Sequence, residues 1–242
     1  MRSLPGVIDP GTLPHVWRVP ELTCAPEKVL GTGHPRLDAQ LPGGGWPQGA
    51  LLEILQDHPG RHVWQLLLPA LALLAREQQG PMVVVNAPFE PFAPALAAQG
   101  LTHSRLLRIE AARPALRLWA AEQALRCADV PSVLAWLPQA RAPELRRLHL
   151  AAAQFGKWLF VFRGTNVRAE SSPARLRLEI EAGEGLNVRI LKRRGPPLAY
   201  PLELPAHPKR LSQLLASRRA KVPSTPARKD RSHVLDRTVA LA

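Results

Sequence analysis

An apolar run, Leu51-Leu52-Glu53-Ile54-Leu55, reads as a buried strand, and it leads into Gln56-Asp57-His58-Pro59-Gly60-Arg61-His62-Val63. A strand entering a phosphate-binding loop would continue as two glycines separated by four residues, then Lys and Ser or Thr. The glycines let backbone N–H groups approach phosphate, the lysine supplies a cation, and the hydroxyl holds magnesium. This stretch lacks that pattern. Gly60-Arg61-His62, at the start of a helix, keeps only the weak pull of a helix N-terminus on anions. A plain strand-to-helix connection is the simpler reading. The glycine-rich approach is nevertheless complete: Gly31-Thr32-Gly33, then Leu37-Asp38-Ala39-Gln40-Leu41, then Gly43-Gly44-Gly45-Trp46-Pro47-Gln48-Gly49.

Other arrangements that could do chemistry are weaker. The histidines are dispersed, and His58 and His62 form the one close pair at i,i+4. Pro59 and Gly60 between them argue against a shared helical face of the kind metal sites use. Ser171-Ser172-Pro173 is loop chemistry with no nearby base. Cys24 and Cys127 have neither disulfide-framework nor zinc spacing. We therefore expect no catalytic residue, no metal and no cofactor.

The elements that position these residues alternate in type. Strands are expected at 51–55, 82–86, 105–109, 132–137, 158–162, 176–182 and 186–192. Between them, Val63, Leu66, Leu67, Ala70, Leu71 and Leu74 make one helical apolar stripe. Leu116, Ala120, Ala124 and Cys127 make a second; Leu145, Leu148, Ala152 and Phe155 make a third, with Pro143 in a tolerant first turn. Short apolar strands alternating with helices imply a mostly parallel sheet covered on both faces. The last two strands alternate strictly around Gly183-Glu184-Gly185 and predict an antiparallel hairpin with one wet face. Trp64, Trp119, Trp136 and Trp158 read as core. Trp46 reads as packed beneath its loop, or else as a flat contact for a partner.

The chain has 242 residues, 26 prolines and a formal charge of +13. That length holds one substantial core plus tails, and the charge suggests an acidic partner, nucleic acid or an acidic protein face. Prolines interrupt the N-terminus, so no signal peptide is expected, and the run from Val63 to Ala75 is too short to span a bilayer. A cytoplasmic protein with no membrane partner is expected. Residues 1–30 read as a Pro-rich arm, 31–205 as the folded domain and 206–242 as a basic, flexible tail. By count, the tail carries nine Lys or Arg against Asp230 and Asp236. Lys209, Arg210, Arg218, Arg219 and Lys221 surround Leu211, Leu214 and Leu215, which suit a short docking helix. With Arg146-Arg147 and Lys192-Arg193-Arg194 they are candidates for a surface that reads phosphates.

The stretch 31–55 resembles the opening of the recombinase RecA core. A closer resemblance is to the ImuA family of SulA-related, RecA-like proteins. It is carried by Leu41-Pro-Gly-Gly-Gly-Trp-Pro-Gln-Gly, Leu66-Leu-Leu-Pro-Ala-Leu-Ala, Pro94-Ala-Leu-Ala-Ala-Gln-Gly-Leu, Leu118-Trp-Ala-Ala-Glu-Gln-Ala-Leu-Arg and Leu145-Arg-Arg-Leu-His-Leu-Ala-Ala. In the register this resemblance implies, Gln56 and Arg61 stand in place of the loop glycines, His62 of the lysine and Val63 of the hydroxyl. The later strand through Val133 runs into Pro138 with no carboxylate. Glu90 occupies the position of a catalytic glutamate without its partners. The implied fold is α/β: a RecA-like, mostly parallel central sheet flanked by helices, ending in an antiparallel hairpin.

The implied function is a non-catalytic accessory role in SOS-induced translesion synthesis. Partners would be an ImuB-like inactive Y-family polymerase and an error-prone replicative-type polymerase, with RecA and DNA as further candidates. The competing readings are a SulA-like inhibitor of cell division that binds FtsZ, and a working ATPase with an unusual loop.

Overall fold

The computed structural model describes residues 28–58, 62–181, 185–196, 198 and 200–205. In chain order the strands are β1 (Val29–Leu30), β2 (Trp46–Pro47), β3 (Ala50–Gln56), β4 (Met82–Val85), β5 (Leu106–Ile109), β6 (Ser132–Trp136), β7 (Trp158–Gly164), β8 (Leu176–Glu181), β9 (Leu186–Lys192) and β10 (Leu202–Leu204). The helices are α1 (Pro35–Asp38), α2 (Val63–Glu77), α3 (Ala93–Ala98), α4 (Pro114–Arg126) and α5 (Ala142–Phe155). Eight strands form one sheet in the order β10-β9-β8-β3-β7-β6-β4-β5. From β8 to β5 every neighbouring pair is parallel; β8–β9 and β9–β10 are antiparallel. The α/β fold read from the sequence is the one observed.

Burial follows from this order. β3, β4, β6 and most of β7 lie inside the sheet with helices on both faces, so their residues are buried without alternation. On one face α2 packs with Leu52, Ile54, Phe160 and Phe162. On the other, α4 and α5 cover Leu51, Val83, Val133 and Val161. All six stripe residues of α2 are buried, and so are Leu145, Leu148 and Ala152 on α5.

Some expectations need correction. The buried residues of α4 are Leu118, Ala120, Ala121, Ala124 and Leu125, so Ala120 and Ala124 lie as expected; Leu116 and Trp119 are exposed, and so is Cys127 just past the helix. β5 is the edge strand of the sheet on this side, and among the described residues no strand lies beyond it. Phe155, in the last turn of α5, is likewise partly exposed. The hairpin's wet face survives only on β9. β8 is an inner strand, and its Arg177 and Glu179 are buried. β10, the β1–β2 ribbon and the short α1 and α3 were not anticipated.

The chain falls into two units, Met1–Ala206 and His207–Ala242. The arm up to residue 27, the Pro59–Arg61 segment, the hairpin turn Ala182–Glu184 and the whole tail lie outside the described residues.

Candidate functional site

At the approach to β3, two glycines are demanded by contact. Gly33 has φ +79°, and a Cβ there would stand 2.3 Å from Pro69 Cβ. Pro69 sits inside α2, and having no N–H it leaves the Gln65 carbonyl without its helical partner. His34 Nε2 lies 3.2 Å from that carbonyl and donates to it. Burial pushes the His34 pKa down, against smaller opposing effects of the Gln65 and Leu66 carbonyls and Asp38. The turn itself is fixed by Asp38, whose Oδ1 accepts the Thr32 N–H at 2.8 Å. Gly45 is the second close approach, since a Cβ would lie 2.3 Å from the Leu30 carbonyl oxygen. The Gly-Thr-Gly lead-in thus seats the strand's approach on the Pro69 turn of α2.

Trp46 belongs to this packing. It is fully buried, edge-on to Phe160 with ring centroids 5.5 Å apart, and its carbonyl accepts the Trp158 indole N–H at 3.1 Å. Its ring has no surface to offer a partner, and the contact role considered for it is withdrawn.

The exit from β3 is filled with side chains. Gln56, the last strand residue, is 5% exposed, and Val63, the first of α2, is fully buried in the α2 core. His62, at the helix N-cap, has a left-handed φ of 59° and pairs through Nδ1 with Gln65 Oε1 at 2.6 Å. Trp64, Trp136 and Phe162 form an aromatic row beside it, with Trp136 and Phe162 stacked at 4.1 Å. Gln56 Oε1 and the Trp136 indole N–H are both buried without a hydrogen-bond partner. Gly60 and Arg61 lie outside the described residues.

At the neighbouring strand ends, Asn86 leaves β4 at φ 50°, a conformation asparagine tolerates. Its amide clamps Ala111 through Nδ2 to the carbonyl at 3.0 Å and Oδ1 to the N–H at 2.9 Å. Glu90 is exposed in the next loop, 3.4 Å from His103 and 3.8 Å from Arg108. β6 ends on Trp136-Leu137-Pro138 without a carboxylate. Among the described residues no group of three or more His, Cys, Asp or Glu could hold a metal ion.

The sequence reading missed an ionic core in mid-sheet. Glu53 of β3 is fully buried, with Arg163 of β7 at 3.0 Å and Arg177 of β8 at 2.8 Å. Arg163 also meets Glu170 at 3.1 Å, and Arg177 donates to the carbonyls of Val167, Arg168 and Glu170. The β7–β8 connection therefore closes over both arginines. The available signal was a lone Glu in an otherwise apolar parallel strand, a position that requires a charged partner. Beside this core, His149 of α5 accepts the Leu51 N–H on Nδ1 at 3.0 Å. Its pKa is lowered by burial first, then by Arg175 and Lys192.

Among the described residues, the candidate basic residues are mostly engaged by other groups. Arg147 pairs with Glu122 of α4 at 3.0 Å, while Arg146 is exposed. Lys192 donates to the Ser172 carbonyl at 2.8 Å, Arg193 donates to the Gln40 and Pro196 carbonyls, and Arg194 is exposed. Lys209, Arg210, Leu211, Leu214, Leu215, Arg218, Arg219 and Lys221 lie outside the described residues.

Fold and site together define an α/β sheet protein whose central strand is followed by a buried Gln56 and, at the start of α2, a buried Val63. No family model matches the chain. Over 106 residues it is 31% identical to the cell division inhibitor SulA of Edwardsiella piscicida, a match spanning 44% of this chain and 63% of that protein. Among the described residues no helix is long and apolar enough to cross a membrane.

Proposed function

We propose that the chain is a non-catalytic adaptor of the ImuA kind, working in SOS-induced translesion DNA synthesis in the cytoplasm. It would bring an ImuB-like inactive Y-family polymerase and an error-prone replicative-type polymerase together on damaged DNA, with RecA as a further partner. The single observation that supports the non-catalytic part is the burial of Gln56 and Val63. Phosphate binding needs open backbone there, and magnesium needs a hydroxyl facing the ligand. A valine in the core supplies neither. The adaptor part rests on the sequence resemblance, which leaves macromolecular binding as the function of such a sheet.

The SulA similarity favours a second reading, a cell-division inhibitor that binds FtsZ. A bacterial two-hybrid assay of the full chain against ImuB and against FtsZ separates the two. Signal with ImuB alone supports the adaptor, and signal with FtsZ alone assigns the chain to the second reading.

A further inference from the structure

The helices α4 and α5 lie side by side, tied by Glu122, which meets Arg147 at 3.0 Å and Arg126 at 2.8 Å. Where both helices begin, at the carboxyl end of β6, a cleft of about 400 Å³ opens between them. Its floor is apolar, made by Leu118, Leu137 and Pro138. Crevices at the carboxyl ends of parallel strands are the usual binding places of open α/β sheets, and this volume lies within the range of ligand pockets.

The rim carries more cation than anion. Arg117 and Arg141 line the cleft, and Arg113 precedes the first residue of α4. Arg117 is held in place by donating to the Ala111 and Ala112 carbonyls at 2.8 and 3.1 Å. The one carboxylate lining the cleft, Glu144, already accepts the Arg141 backbone N–H at 2.7 Å. The apolar surface also continues beyond the cleft. Trp119, 59% exposed, is four residues after the lining Ala115 and so on the same face of α4. Large exposed side chains next to an apolar cleft mark an interaction site.

We infer that the α4–α5 cleft docks a short acidic segment of a partner protein, which seats one bulky apolar side chain on Leu118 and Leu137. Its carboxylates face Arg113, Arg117 and Arg141. A nucleic-acid backbone fits poorly, because phosphate would gain nothing from the apolar lining residues. This inference rests on the reading of the chain as a protein-binding adaptor and specifies the chemistry of one partner.

The test uses the full chain and fluorescein-labelled hexapeptides. The first is four alternating Glu and Asp residues followed by Leu-Phe; a second has Gln and Asn for the acids, and a third has Ala-Ala for Leu-Phe. Fluorescence polarisation should show saturable binding of the first and about tenfold or greater loss for each of the others. Ala115→Trp, which fills the mouth at an exposed position, and Arg141→Glu, which reverses the rim, should each weaken binding about tenfold without lowering the melting temperature. No binding of the first peptide would overturn the inference, as would equal binding by both variants. A dimer in sedimentation equilibrium that Ala115→Trp dissociates would assign the cleft to a second copy and also overturn it. These outcomes leave the two-hybrid result with ImuB standing or falling on its own.

Discussion

On the approach to β3, Gly33 and Gly45 occupy points where a Cβ would lie 2.3 Å from Pro69 and from the Leu30 carbonyl. On the exit, Gln56, His62 and Val63 carry whole side chains, and the first and last of these are buried. Glycine thus stands where a Cβ would collide with Pro69 or the Leu30 carbonyl, whereas the described residues that leave β3 carry side chains. A glycine-rich lead-in is often taken as part of a nucleotide signature. In this chain two of its glycines have structural causes, Gly33 in Pro69 and Gly45 in the Leu30 carbonyl.

Substitutions along β3 sharpen the contrast. The largest effect belongs to the strand itself. Glu53→Ala strands Arg163 and Arg177 in the sheet, and should cost about 3–5 kcal/mol in urea unfolding. A loss below about 1 kcal/mol would mean that solvent reaches the pair. Gly33→Ala combines a left-handed φ with an overlap on Pro69, and should cost about 2–4 kcal/mol. A neutral result would break the claim that the lead-in is fixed by packing.

Val63→Ser restores the hydroxyl of a phosphate loop, but places it in the core. It should destabilise by about 1–3 kcal/mol and confer no magnesium-dependent binding of a fluorescent ATP analogue. Stabilisation of the variant by magnesium and ATP would show that position 63 faces a ligand.

The smallest effect concerns pH. His34 and His149 both have folded pKa values below the ordinary 6.5, so the folded chain takes up these protons less readily than the unfolded chain. Their contribution is complete above about pH 6.5 and is lost as pH falls from there through the lowered folded values. Urea midpoints between pH 8 and 5 should fall on the acid side, and His149→Gln should flatten part of that slope. A midpoint that rises on acidification would contradict the assignment of Nδ1 as acceptor for Leu51.

Much of the sheet was legible because inner parallel strands are apolar throughout, and Met82–Val85 or Ser132–Trp136 has no other soluble explanation. Legibility failed where position in the sheet, rather than pattern, decides burial. Leu116 and Leu118 are equally apolar in sequence, yet only Leu118 faces the sheet. Arg177 and Glu179 alternate as a wet face should, and are buried because β8 is an inner strand beneath the β7–β8 connection. Of the candidate site, the departure of Gln56–Val63 from a phosphate-loop pattern is a matter of residue types and needs no structure to see. The ion core could not be read, because its three members are 110 and 14 residues apart along the chain, from Glu53 to Arg163 and from Arg163 to Arg177. Trp119 reads as core from its place in a helix, yet it is exposed, and the cleft on its face of α4 has no signature in sequence.

The most direct test of the account is phosphate release from ATP by the purified full chain, with magnesium, in the presence and absence of single-stranded DNA. The account predicts release at the background rate under both conditions, unchanged in His62→Ala. Turnover above background that disappears in His62→Ala would contradict it, because it would give the exit from β3 a chemistry that a buried Gln56 and Val63 do not supply.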